Sequence, residues 1–426
     1  MSVPISDHEK NEAVREGRAD PALAAEAVAR RSYGKLIAFL AARTRDVTAA
    51  EDALSEAFAS ALAVWPEKGC PQNPEGWLLT VARRKMIDAT RRERTSDRAS
   101  DALRLLAEEL DSALSQPALP DHRLALLFAC AHPAIDTNVH AALMLQTVLG
   151  FDARAIASAF LTSPAAMAKK LSRAKEKIGQ ARIPFELPGR EDLPERLSSV
   201  LDAIYAAFTE GWADGLGTDS ARQALLEEAL YLARLVTQLL PDEPEALGLL
   251  ALMLHAAARR RARRSPQGEF VPLAEQDTSL WDKALIDEAE GVLLRARDLG
   301  AIGRYQLEAA LQSAHAHRCL TGARNWPAVV QLYDALLEIS QSPVVAINRA
   351  LAVAECDGPA VALEGLEQVE SDARLASYEP YWAARADLLA RLGRKVEARA
   401  AYEMAIGLEK DPAVRRFLQR RQLAIG

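Results

Sequence analysis

The sequence predicts an all-α protein, and three observations carry that prediction. Ala, Leu, Arg and Glu, all of them helix-compatible, dominate a chain of 426 residues in which aromatic residues make up only 5%. Apolar residues recur at the three- and four-residue spacing of helices, and no valine- and isoleucine-rich stretch alternates as a strand would. The chain is also too long for one ordinary core, so we expect several helical domains.

Composition excludes several classes of protein. The first residues, MSVPISDHEKNEAVREG, are polar and predict no signal peptide, and no apolar run is long enough to cross a membrane. The four cysteines are scattered without a CxxC pair, which predicts no disulfide framework and no metal site, and fits a reducing cytoplasm. The sequence contains no cofactor-binding motif, so we expect no cofactor.

A loose tail is predicted over residues 1–21, followed by a first helical domain over residues 22–95. One amphipathic helix is predicted over 32–45, and a second begins near Thr48, a candidate N-cap. A loop rich in proline and glycine follows, and Pro74 leads into a third helix.

The third helix, GWLLTVARRKMIDATRRER (76–94), is strongly basic. Its Leu78, Leu79, Ala82, Met86 and Ala89 share one face, which predicts a core seam. Six basic residues against Asp88 and Glu93 give +4 in a chain of net charge −7. Such a run is usually a solvated face, and the alternative is a local nucleic-acid contact.

Residues 96–120 carry five acidic residues against two arginines and are predicted to be a linker. A second helical domain follows over residues 121–183. There Asp152 is a predicted cap of a short helix, and Ser163 and Pro164 begin a long one with a charge of +5 over residues 168–182. A short helix, a tight turn and a basic second helix together predict a helix-turn-helix.

Residues 184–426 form a helical extension in which a repeat is visible. Small and large residues recur at the same offsets over 346–369 and 382–405, with a third, degenerate copy over 316–335. These offsets match the tetratricopeptide pattern, in which two helices pack closely, so the extension is predicted to be a tetratricopeptide-like (TPR-like) domain. The arginine-rich run RRRARR (259–264) is predicted to be a solvated helix end, with a DNA or protein contact as the alternative.

Three segments together resemble a known family: AEDALSEAF (50–58), the basic helix from residue 76, and IASAFLTSPAAMAKKLSRAKEKI (156–178). They look like regions 2 and 4 of a bacterial RNA polymerase sigma factor of the extracytoplasmic-function type. EQDTSLWD (275–282) and SPVVAINRALAVAE (342–355) resemble the extension of a subgroup with a C-terminal tetratricopeptide domain. The resemblance covers nearly the whole chain after residue 21.

The resemblance implies a role for four sets of residues. Binding to the core polymerase is implied for Glu51, Asp52, Leu54 and Glu56. Contact with the −10 promoter element is implied for Arg83, Arg84, Lys85, Arg91 and Arg92. Contact with the −35 element is implied for Lys169, Lys170, Ser172, Arg173 and Lys175, with Met167, Leu171, Ile156 and Ala157 buried beneath them. The signature of the extension is Asp277 and Trp281.

For two of these residues and for one neighbour, the alternative to a functional role is a role in packing alone. Leu54 alternatively packs inside its own domain, and Trp281 alternatively anchors the core of the extension. Trp77 either stacks on a base or packs between helices.

The function implied is that of a sigma factor, which binds the β and β′ subunits of core polymerase and promoter DNA. Its TPR-like domain is expected to control it in cis. The alternatives are a helix-turn-helix activator with a TPR sensor domain and a protein-interaction scaffold. No catalytic motif is present, and His315 and His317 point to different helix faces, so we expect no enzymatic activity, no metal and no small-molecule substrate.

Overall fold

The computed structural model describes residues 21–44, 46–93, 122–160, 162–189, 191–212, 220–317 and 325–425. Within these ranges the all-α prediction is confirmed, since the only β pairing is an isolated antiparallel bridge between Arg264 and Phe270. The chain divides into two compact units, residues 1–210 and 211–426. The finer domain bounds at residues 95, 121 and 183 stay predictions.

In its described residues the first unit holds seven helices, and an eighth helix crosses the division between the units. They are α1 (Pro21–Thr44), α2 (Val47–Lys68), α3 (Pro74–Glu93), α4 (Arg123–Cys130), α5 (Thr137–Leu149), α6 (Ala153–Ala159), α7 (Pro164–Gln180) and α8 (Leu193–Trp212).

Short polar side chains fix the starts of several of these helices. Asp46, not Thr48, caps α2, because its carboxylate accepts the Ala49 amide at 2.9 Å and Thr48 already lies inside the helix. The predicted caps of α6 and α7 are confirmed: Asp152 accepts from the Ala155 amide, and Ser163 accepts from the Ala166 amide.

The core of α1, α2 and α3 is apolar and fully buried. Leu36 and Ile37 of α1, Leu54 of α2, and Leu78 and Leu79 of α3 have no exposed surface. Each such side chain stabilises the fold by about 1.5–3 kcal/mol on burial. The predicted seam of α3 is therefore confirmed for its described side chains.

The helices after residue 121 pack against this same core. Helix α1 contacts α4 and α5, and α2 contacts α7. The two domains predicted from the sequence therefore lie in contact within one compact unit.

The second unit is a succession of helices in which neighbours along the chain pack together. They are α9 (Ser220–Leu239), α10 (Pro244–Ala258), α11 (Lys283–Asp298), α12 (Arg304–Ala316), α13 (Trp326–Ser340), α14 (Pro343–Cys356), α15 (Pro359–Glu367), α16 (Glu379–Arg391), α17 (Lys395–Leu408) and α18 (Pro412–Leu423). Short 3₁₀ turns cover Arg260–Arg263, Leu273–Glu275, Thr278–Leu280 and Ala373–Ser377.

The repeated small residues lie at helix contacts. Ala386 of α16 and Ala398 and Ala405 of α17 are fully buried, and Ala362 of α15 is 1% exposed. The repeat over 346–369 and 382–405 stays a prediction, and residues 318–324 of its third copy lie outside the described part of the chain. Helix α18 packs back on the segment after α10, where Phe417 meets Phe270 edge to face at 5.5 Å.

Among the described residues, no helix combines the length and the apolar character needed to cross a membrane.

Candidate nucleic-acid and polymerase interface

Helix α7 has one buried and one cationic face. Its buried face is Met167, Leu171, Ala174 and Ile178, as predicted for the first two. The short helix α6 lies before it, with Ile156 and Ala157 buried, also as predicted. The opposite face exposes Lys169, Lys170, Ser172 and Arg173 to solvent. Four of the five residues predicted to contact the −35 element therefore share one accessible surface.

The fifth, Lys175, is placed differently. Its Nζ lies 2.5 Å from Oε2 of Glu51 on α2, and the two side chains are only 11% and 10% exposed. Burial raises the pKa of the Glu51 carboxyl, and the neighbouring Lys175 opposes that rise. The other carboxylate oxygen of Glu51 has no hydrogen-bond partner among the described residues.

Three of the five basic residues of α3 predicted to contact the −10 element have side chains that the structure describes, and all three are at least partly exposed. Arg84 is exposed and Arg83 is half-buried. Lys85 forms a 2.9 Å ion pair with Glu56 of α2, and because both side chains are well exposed the pair is weak and easily exchanged. The side chains of Arg91 and Arg92 lie outside the part of the chain that the structure describes.

The residues predicted to bind polymerase separate into two groups. Asp52 and Glu56 are exposed on α2. Leu54 is fully buried and Glu51 is paired with Lys175, so neither side chain lies on the surface in this conformation. Trp77 is half-buried and meets Trp65 edge to face at 5.6 Å, which places it between helices.

The signature residues of the extension have structural contacts. Trp281 is 6% exposed and packs with Ala262 and Ala316 in a small core. Asp277 is exposed and accepts the Ser279 amide at 2.9 Å, a hydrogen bond that lowers the pKa of its carboxyl. Trp281 is thus a core anchor in this unit.

The prediction that the run 259–264 is a solvated helix end is wrong for three of its arginines. Arg259 donates to the Gln312 side chain, and Arg264 pairs with Asp411. Arg263 donates to the Trp212 carbonyl at 2.6 Å, with its guanidinium 4.1 Å from the Trp212 ring centroid. These contacts could not be predicted from the neighbouring sequence, because every partner is distant along the chain.

Comparison with known proteins identifies the first part of this surface. Residues 28–95, which contain α2, α3 and most of α1, match the family model for sigma-70 region 2. The chain contains a sigma-70 region 2 domain. This domain supports the role of a sigma-70 family sigma factor in transcription initiation by RNA polymerase.

The remaining comparisons extend beyond this domain. Residues 196–297 match a family of unknown function, DUF6596. "Uncharacterized protein R00370" of Rhizobium meliloti (strain 1021) is 38% identical over 381 residues, covering 88% of this chain and 89% of that protein. No solved structure matches the chain.

Sequence reasoning missed Gly34 and Tyr33, which lie where α1 meets α5. A Cβ added to Gly34 would stand 2.1 Å from the Val148 carbonyl oxygen, so only glycine permits this approach of the two helices. Burial and the nearby Glu51 and Asp52 carboxylates raise the pKa of Tyr33 far above its ordinary value. A single glycine inside the amphipathic helix SYGKLIAFL was the available signal for a close helix contact.

Proposed function

We propose that this protein is a sigma factor of the extracytoplasmic-function type and directs core RNA polymerase to promoters through separate contacts with the −35 and −10 elements. The observation that carries the proposal is the two-faced helix α7, which follows a tight turn and presents cations and a serine on its open side. A helix in that setting fits the major groove of duplex DNA.

The chemistry of α7 suits a recognition helix. Lys169 and Lys170 provide charge for phosphate contacts, which give affinity and register without reading sequence. Arg173 carries a planar donor fork that can pair with a phosphate or with a guanine edge, and Ser172 can donate or accept at several bases. The apolar face of α7 is buried in packing, so its cationic face is available for DNA.

Helix α3 is proposed to hold the opened −10 strand. Arg83, Arg84 and Lys85 would supply a cationic track for single-stranded backbone, and Arg91 and Arg92 would continue it along the same helix. Asp52 and Glu56 on α2 are the acids left exposed for a basic partner surface, such as the β′ coiled coil.

The second unit is proposed to be a TPR-like control domain that acts in cis. Stacked helical pairs make extended surfaces that bind protein segments, and the buried small residues of α15, α16 and α17 support such stacking. Asp277 and the region around Trp281 are proposed to belong to the contact by which this domain acts. A protein working on RNA polymerase would reside in the cytoplasm.

The test is in vitro transcription with core polymerase from the source organism and a pool of its genomic promoters. Full-length protein is compared with Arg173→Gln and with Arg399→Gln, an exposed arginine of α17 that serves as the matched control. We expect new, defined start sites with full-length protein and with the control, and their weakening with Arg173→Gln. Specific duplex binding without any core-dependent transcript would instead support the helix-turn-helix activator.

A further inference from the structure

From a cavity in the second unit we infer that the protein binds a small organic amine, a ligand with an ammonium group on an apolar body. The cavity lies beside Trp281, where the turn Thr278–Leu280 meets the start of α11 and the end of α12. Its volume is about 500 Å³, within the range of sites that hold small molecules. Binding itself is independent of the proposed function, whereas any control of transcription by the ligand rests on it.

Regular secondary structure forms the walls of this amine cavity. Helix α10 packs against both α11 and α12, and the cavity is lined by the first two turns of α11 and the last turn of α12. Asp277 caps the turn at Thr278–Leu280 through the Ser279 amide, at 2.9 Å. Asp282 caps α11 through the Leu285 amide, at 3.2 Å. Because the caps fix both segments, the cavity is preformed in the free chain.

One side of the cavity is apolar. It is formed by Trp281, Ile286 and Ala316, which belong to the same small core. Trp281 is 6% exposed, so packing holds its ring in place. A flat indole and two aliphatic side chains suit a hydrocarbon or aromatic ligand body, and the face of an indole ring also attracts organic cations.

The charged side of the cavity belongs to α11. Lys283, Asp287 and Glu290 line it, and their spacings of four and three residues place them on one face of the helix. Lys283 and Asp287 form no ion pair with each other or with any other described residue. Two carboxylates and one ammonium give this face a formal charge of −1, which favours a cationic ligand.

Glu290 is the carboxylate that most requires a cation. Its Oε1 accepts the Ser313 hydroxyl at 2.6 Å and lies 3.5 Å from Nε2 of His255 on α10. His255 is 1% exposed, and neither ring nitrogen has a hydrogen-bond partner among the described residues. Burial lowers the pKa of this imidazole to about 4, so at neutral pH His255 is uncharged and does not compensate Glu290. Glu290 remains 39% exposed, so a ligand ammonium can reach it and supply the charge.

The positions of these groups orient the ligand. Its ammonium lies toward Glu290, with Asp287 nearby, and its apolar body lies against Trp281 and Ile286. Lys283 repels a cation, so its charge weakens the binding of an amine. A ligand anion would be attracted to Lys283 and repelled by both carboxylates, so the cavity discriminates against it.

The test is ligand-observed NMR on the full-length chain with three probes of similar shape. Tryptamine carries the ammonium group, tryptophol replaces it with a hydroxyl, and indolepropionate replaces it with a carboxylate. We expect saturable binding of tryptamine with a dissociation constant of about 1 mM or below. Tryptophol should bind at least about tenfold more weakly, because it makes no charge-assisted hydrogen bond. Indolepropionate should not bind.

Four variants assign the binding to the cavity. Glu290→Gln keeps an acceptor for the Ser313 hydroxyl but removes the charge, and it should weaken tryptamine binding about tenfold or more. Asp287→Asn should weaken it roughly two- to fivefold. Lys283→Gln should tighten it about twofold, because a like charge is removed. Glu403→Gln changes an exposed acid of α17 outside the cavity and, as the matched control, should bind like wild type. Thermal unfolding checks that each variant is folded.

Several results would overturn the inference. They are an absence of saturable tryptamine binding, equal binding of the three probes, and tighter binding of indolepropionate than of tryptamine. Unchanged binding in folded Glu290→Gln, or an equal loss in Glu403→Gln, would also do so. The titrations need no polymerase, so they are decided separately from core-dependent transcription, whose failure would refute only the proposed function.

Discussion

The substitution Arg173→Gln tests whether the exposed face of α7 holds DNA phosphates. In the structure this face presents Lys169, Lys170 and Arg173, with Lys177 one turn further along. Each phosphate neutralised by such a residue adds about −0.9 to the slope of log affinity against log salt. Losing one contact should make the slope shallower by about 0.9. When salt is raised from about 50 to about 200 mM, the factor by which the affinity falls should then be roughly 3.5 times smaller for Arg173→Gln than for wild type.

The assay is fluorescence anisotropy of a labelled promoter fragment with polymerase reconstituted from core and each variant, over a salt series. Arg399→Gln removes the same charge from the second unit and should leave the slope unchanged. An unaltered slope together with relaxed discrimination at one base pair would assign Arg173 to a base edge. Equal slopes and equal affinities for Arg173→Gln, Arg399→Gln and wild type would refute the assignment of α7 to DNA.

Three further predictions concern stability. Lys175→Met should destabilise the first unit by about 3–5 kcal/mol, because it leaves Glu51 buried without its cation, whereas Glu51→Leu combined with Lys175→Met should be nearly neutral. Urea denaturation of both single variants and the double variant measures the coupling free energy between the two residues. Additive effects of the two substitutions would contradict the prediction. Burial lowers the pKa of His255 to about 4, so this imidazole binds a proton more tightly in the unfolded chain than in the folded protein. The second unit should then lose up to about 3 kcal/mol as pH falls from about 6.5 toward 4, and the difference between wild type and His255→Leu isolates this effect from other titrating groups. A pH-independent difference would contradict it. Trp281→Ala should cost about 3–5 kcal/mol of unfolding free energy in the second unit, while Leu280→Ala, 47% exposed, should change it by no more than about 0.5 kcal/mol; similar values for both would show that Trp281 is not a core anchor.

Local features of the chain were predictable from the sequence. The buried face of α3 followed from helical spacing, because Leu78, Leu79 and Met86 recur on one side whatever their partners are. The starts of α6 and α7 followed from Asp152 and Ser163, since a cap acts on amides two or three residues away. These properties depend only on neighbours within a few residues along the chain, so the sequence is sufficient to predict them.

The region 2 domain was also predictable from the sequence, because it is carried by residue types in order along one continuous segment. The state of its surface residues was not. Glu51 and Asp52 are adjacent acids of one helix, yet Asp52 is exposed and Glu51 is buried against a lysine 124 positions away. The sequence likewise predicted that Arg263 and Arg264 are solvated, but in the structure Arg263 contacts Trp212 and Arg264 pairs with Asp411.

The sequence by itself therefore predicted the helices, the apolar faces of α3 and α7, the caps of α6 and α7 and the resemblance of residues 28–95 to sigma-70 region 2, because each depends on short-range spacing or on residue order. Only the tertiary structure decided which charges face solvent and which face each other. A helix has one side turned toward the core, and the residue met there is chosen by how distant helices pack. The meeting of Lys175 with Glu51, and the approach of Val148 allowed by Gly34, are consequences of that packing.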